Sequence, residues 1–165
     1  QQHYKNFSSM SWVYSCGAGA NYGTALESAL KMGETIHIPS CCYEIEEYIH
    51  GPNLQLTPQY NVIFFDGNDG ASRRVEQVYK ATRKVTNRAY LISNNPQLSR
   101  DGHVLSLSDT VSSELSPLVY LPFVQLLSFI VSNDLHSIYQ HPLLKEFKAI
   151  AAAKTENFVN YDGDD

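Results

Sequence analysis

The chain is poor in cysteine, tryptophan and methionine, with three, one and two residues of each, and what it lacks narrows its class. Cys16 and the adjacent Cys41 and Cys42 are odd in number, and their spacing fits neither a zinc site nor a disulfide framework. All three read as reduced thiols that serve packing. Positive charge is also short: 12 Lys and Arg stand against 17 Asp and Glu, a net charge of −5. With no basic stripe, a nucleic-acid partner is not expected. No apolar run is long enough for a bilayer. The longest, LVYLPFVQLLSFIV (118–131), is broken by Pro122, Gln125 and Ser128 and falls short of the roughly 20 residues a span requires. It reads as a buried helix, and no membrane is expected as a partner. The reading of the cysteines as reduced thiols makes a cytoplasmic protein the expectation. Repeats and low-complexity tracts are absent too.

What remains is one ordinary domain of 165 residues, large enough to bury about two thirds of the surface its unfolded chain would expose. Short β-rich runs alternate with helical patterns, the mark of a parallel sheet covered on both faces. Strands are expected at 11–16, 35–41, 61–66, 88–93 and 103–107, and helices at 21–34, 43–49, 71–85 and 117–138. Of the strands, NVIFFD (61–66) is the clearest buried one, and the GNDG behind it is turn chemistry. The opening QQHYKNFSSM reads as the interior of a longer protein. Residues 1–10 are therefore expected to be a linker from a missing N-terminal half, 11–150 the domain and 151–165 a C-terminal tail.

Gly17, Gly19 and Gly23 lie between the first strand and the first helix, where backbone amides and a helix N-terminus can receive an anion. Their G-x-G-x-x-x-G spacing is one residue longer than a dinucleotide fingerprint. The second strand is expected to end in Ser40, Cys41 and Cys42, with no acid at its tip to hold a ribose. No nucleotide cofactor is therefore assigned. Within the following helix Glu27, Lys31 and Glu34 fall at i, i+4 and i+7, on one face within about 60° of arc. Such a face can be a solvated row of ion pairs. It can also be a site, because the helix starts at a glycine loop on the carboxyl side of a strand, where open α/β sheets bind ligands. His50, in HGP after Glu44, Glu46 and Glu47, is a surface residue or a proton carrier near neutral pH. The spacing of these acids and the histidine matches no ligand motif, and no metal is assigned.

Taken together, CGAGANYGTALESALKMGE and, sixteen residues after Glu34, His50 in EEYIHGP resemble the second sugar-isomerase (SIS) domain of phosphosugar isomerases and ketosamine-6-phosphate deglycases. The isomerase half of glucosamine-6-phosphate synthase is a relative. The resemblance implies a three-layer α-β-α sandwich around a mainly parallel, flavodoxin-like sheet. It implies Glu34 as the base that moves a proton between neighbouring sugar carbons and His50 as the group that assists ring opening or donates a proton. Lys31, Glu27, Gly17 and Gly19 would line the substrate. It further implies a sugar phosphate as substrate, a missing N-terminal SIS domain and a homodimer with sites between subunits. Isomerisation and C–N cleavage both remain open, as do a sugar-phosphate-sensing module of a regulator and the isomerase half of a glutamine-dependent synthase. Two departures stand out. Where the family's first domain carries a Ser-x-Ser-Gly-x-Thr phosphate loop, the chain reads DGNDGAS. Lys145 and Lys148 fall three and six residues after Pro142, whereas the synthase's Schiff-base lysine follows its proline by five.

Overall fold

The computed structural model describes residues 3–107, 111–137 and 150. Five parallel strands, β1 (Val13–Gly17), β2 (Ser40–Glu44), β3 (Asn61–Asp66), β4 (Ala89–Ser93) and β5 (Val104–Ser106), form a sheet of order β2-β1-β3-β4-β5. In register, Val13 lies beside Ser40 on one side and Asn61 on the other. The helices are α1 (Tyr4–Ser8), α2 (Ala20–Ile36), α3 (Ile45–Ile49), α4 (Ser72–Thr82) and α5 (Ser116–Leu135). The fold is the expected three-layer α/β sandwich.

Strand alternation sends successive side chains to opposite faces, and the two cores follow from it. Val13, Ile63, Phe65 and Ile92 pack on one face with Phe7 of α1, Ala25, Met32 and Ile36 of α2, and Tyr120, Val124 and Val131 of α5. Tyr14, Cys16, Val62, Phe64 and Leu91 pack on the other with Ile45 and Tyr48 of α3 and Val75, Val78 and Tyr79 of α4. Strands β1, β3 and β4 are buried along their whole length, as interior strands covered on both faces must be.

Three expectations change. The second strand begins at Ser40 rather than Thr35, because α2 runs on to Ile36 and is closed by His37 in the left-handed conformation, φ 62°. Its tip is therefore Glu44, an acid, where Ser40, Cys41 and Cys42 had been expected to leave none. That acid is already used: its side chain accepts the Glu46 amide at 2.6 Å and caps α3. Residues 4–8 are helical, with Phe7 in the core. Helix α5 is less buried than a core helix. By length and composition it could cross a membrane, yet only its inward row packs in the core, and Leu118, Leu126 and Phe129 are 68%, 57% and 60% exposed. His141, Pro142, Lys145 and Lys148 lie outside the described residues.

Candidate active site

Strand order reverses direction of progress between β1 and β3, and open α/β sheets receive ligands outside the carboxyl ends of the strands at such a point. Gly17 closes β1 there. A Cβ on it would stand 2.3 Å from the Asn21 carbonyl oxygen, so the strand-to-helix turn exists only without a side chain. Gly19 precedes α2 at φ 54°. Across the crevice lies the loop after β3, where a Cβ on Gly67 would meet the Asn21 amide nitrogen at 2.9 Å and an Asp69 carboxylate oxygen at 3.2 Å.

A polar network fastens these loops together. Asp66, 1% exposed, accepts Ser93 Oγ at 2.7 Å, the Asn68 amide at 3.0 Å and Ser72 Oγ. The Tyr120 hydroxyl donates to the Asp66 carbonyl at 2.7 Å, and burial, with the nearby Asp66 and Asp69 charges, pushes that hydroxyl up to about 12. Asn21 Nδ2 donates to Ser116 Oγ at 2.7 Å and its Oδ1 accepts Thr24 Oγ1 at 2.9 Å. Helices α2 and α5 are thereby pinned to each other at the carboxyl edge. None of Asn21, Ser93 or Ser116 stood out in the sequence, because each finds its meaning in a partner far along the chain.

The expected site residues occupy three places. Gly17 and Gly19 form the loop just described. Glu27, Lys31 and Glu34 do share one face of α2: Lys31 Nζ lies 3.4 Å from Glu27 Oε1 and bonds directly to Glu34 Oε1. The hydrogen bond that Lys31 donates to Glu34 and the two carboxylate charges raise the Lys31 ammonium above its ordinary value against the opposing effect of burial. It is therefore a fixed positive charge, not an amine nucleophile. Because α2 runs back from the carboxyl edge, Glu34 is about 20 Å along the axis from the start of the helix. His50 closes α3, its amide bonded to the Glu47 carbonyl at 3.1 Å, and it is exposed on the opposite layer of the sandwich. Glu46 beside it is committed to Arg74 of α4, in a two-pronged pair at 2.6 and 3.1 Å. Among the described residues no group of three or more His, Cys, Asp or Glu is placed to hold a metal ion.

The strand order and the helices packed on both faces of the sheet define an open, doubly wound α/β domain. Within that class the chain belongs to the SIS domain family, whose model matches residues 7–117. The glutamine–fructose-6-phosphate aminotransferase (isomerizing) of Methanothermobacter thermautotrophicus is 30% identical over 131 residues, 77% of this chain and 22% of that protein. Among solved structures, a candidate phosphosugar isomerase from Clostridium difficile 630 superposes with a TM-score of 0.75 at 21% identity, over 94% of this chain and 44% of that one. Tagatose-6-phosphate ketose/aldose isomerase from Escherichia coli gives 0.71 at 16% identity, over 80% and 39%. At these identities the structural likeness is one of fold. The chain spans about a fifth of the length of the curated relatives it matches.

Proposed function

We propose that the chain is the second SIS domain of a cytoplasmic phosphosugar isomerase or deglycase that acts on a ketosamine 6-phosphate. Glu34 takes the proton from the carbon beside a carbonyl or imine, and His50 of a neighbouring subunit returns one to the adjacent atom. The outcome is isomerisation or, with water, C–N cleavage that releases an amine. The observation that carries the reading is the Glu27, Lys31 and Glu34 face, in which a charged lysine holds a half-exposed glutamate in place within a domain of the SIS family. Helices α2 and α3 lie on opposite layers, so this reading draws Glu34 and His50 from different subunits. The end of β3 and the loop after it carry Asp66 and Asp69, so the phosphate is assigned to the preceding SIS domain.

The uncovered apolar surface of α2 and α5 supports the partner assignment. Leu26 and Leu30 of α2 are 49% and 56% exposed, as Leu126 and Phe129 of α5 are 57% and 60%. A second SIS domain, in the same polypeptide or a second copy, would cover it. The pairing of Glu34 with Lys31 also favours a second reading, a sugar-phosphate-binding module that does no chemistry. Turnover of 6-phosphorylated ketosamines by the full-length protein separates the two. Glu34→Gln and His50→Ala are each expected to lower kcat by roughly 10²- to 10⁴-fold with unchanged circular dichroism. Turnover that survives both substitutions would overturn the assigned chemistry.

A further inference from the structure

Cations are few in this chain, but half of them stand together. Six of the 12 Lys and Arg (Arg73, Arg74, Lys80, Arg83, Lys84 and Arg88) fall between residues 73 and 88, where the one acid is Glu76. That segment is α4 and the turns leading to β4, on the layer of the sandwich away from α2 and α5. Arg73, Gln77 and Lys80 stand at i, i+4 and i+7, so they share one row of the helix, and all three are exposed. Lys84, also exposed, follows in the turn beyond Thr82, its amide bonded to the Ala81 carbonyl at 3.0 Å.

A groove of about 360 Å³ runs beside this row, between α4 and the segment that begins with α3. Tyr48, Ile49 and Leu56 line it from one side and Val78, Ala81 and Val85 from the other, with Arg74 and Gln77 at its α4 wall. Gln77 thus belongs to both the groove and the cationic row, and Lys84 lies between two groove residues, Ala81 and Val85. From Arg74 to Val85 the wall is roughly 16 Å long at 1.5 Å per residue, about three helical turns. Apolar surface continues outside it: Leu54, on the 3₁₀ turn Pro52–Gln55, is 86% exposed, and Val85 is 45% exposed. The charges are only partly compensated. Arg74 is held by Glu46 and Lys80 by Glu76, whereas Arg73 and Lys84 have no ion-pair partner among the described residues. The facing wall supplies none, since no acid or base other than His50 itself occurs from His50 to Phe65. An apolar floor therefore lies between a cationic wall and a neutral one, in a chain whose net charge is −5. The occupant that matches all three is a helix with an apolar stripe and carboxylates along its flank.

We propose that this groove docks an acidic amphipathic helix of a partner protein, its apolar side chains against Ile49, Leu56, Val78, Ala81 and Val85 and its carboxylates toward Arg73 and Lys84. The groove lies on the layer opposite Glu34 and does not depend on the function proposed above. The probe is a fluorescent synthetic peptide of about 16 residues, with Leu and Phe at i, i+3, i+4 and i+7 and Glu at the remaining positions. Two controls accompany it: the same peptide with Lys in place of Glu, and an isomer whose apolar residues are spread around the helix. Anisotropy titrations with the full-length protein are expected to give micromolar binding of the acidic amphipathic peptide, at least about tenfold tighter than either control. Raising the salt from about 0.05 M to about 0.3 M should weaken it about threefold or more. Ala81→Glu, which puts a like charge in the floor, and the double variant Arg73→Glu with Lys84→Glu are each expected to weaken it about tenfold. All three positions are exposed, so circular dichroism should be unchanged. Binding unaltered by Ala81→Glu, a control peptide that binds as tightly, or no binding at millimolar concentration would each overturn the proposal. So would self-association of the protein, measured by sedimentation, that Ala81→Glu abolishes, because the occupant would then be a second copy of the chain.

Discussion

Replacing Gly17 by alanine is expected to cost on the order of 4–5 kcal/mol or more of folding stability, the range in which only strain and lost packing of a named kind operate. The added methyl would lie 2.3 Å from the Asn21 carbonyl oxygen, 2.7 Å from its carbon and 3.2 Å from the Tyr22 nitrogen. These are backbone atoms of the first turn of α2, so no rotamer change relieves the contact. Moving the turn would break the bond from Asn21 to Ser116 and the seat of α2 on α5. The control lies within the same helix. A Cβ added at Gly23 would meet nothing within 4 Å, and in a helix interior alanine is better than glycine by roughly 0.5–1 kcal/mol. Urea denaturation should thus move the midpoint of Gly23→Ala upward and leave Gly17→Ala with little or no folded baseline. A Gly17→Ala protein within about 1 kcal/mol of the parent would show that the turn can be rebuilt, and the steric account would fail.

Asp66→Ala is the second large effect, expected at about 3–4 kcal/mol. Removing the carboxylate strands three donors at once, the buried Ser93 Oγ and the part-buried Ser72 Oγ and Asn68 amide; a buried orphan costs about 1–3 kcal/mol, and the two part-buried donors, which water can reach, add less. Asp66→Asn keeps one oxygen in place and offends mainly the Ser93 bond, so about half the loss is expected. The Tyr120 bond to the Asp66 carbonyl is a backbone contact and survives both changes. Chemical denaturation of the two variants and the parent measures the series. Equal losses would mean that the carboxylate's hydrogen bonds are not what Asp66 contributes.

Much of this architecture could be read from the chain, and the failures have physical causes. NVIFFD declares itself because a strand buried on both faces is apolar throughout, and β3 matches the expected 61–66. The edge strand β2 does not, since it is only partly buried and SCCYE shows no alternation. The apolar Ile36 and Ile38 upstream supplied a false one, although the first of them belongs to α2. Helix α5 was recognised by its apolar content, but composition could not say that one side of it faces outward. Glu27, Lys31 and Glu34 were grouped correctly because helix periodicity is local. Asn21 and Ser116, 95 residues apart, could not be, since nothing local in the sequence marks their pairing.

The placement of β1 between β2 and β3 also bears on how quickly the chain reaches this state. Among the described residues each strand pairs only with parallel neighbours, so none of these pairs can start as a hairpin, and even the nearest need an intervening segment in place. The β1 to β3 pairing, Val13 beside Asn61, spans both the α2 and α3 segments. Closing such loops before any ladder bond rewards them makes for a high contact order, and folding is expected in milliseconds to seconds rather than microseconds. During that interval the apolar segments of β3 and β4 are exposed, which makes the centre of the sheet the part of the chain most in need of protection while it folds.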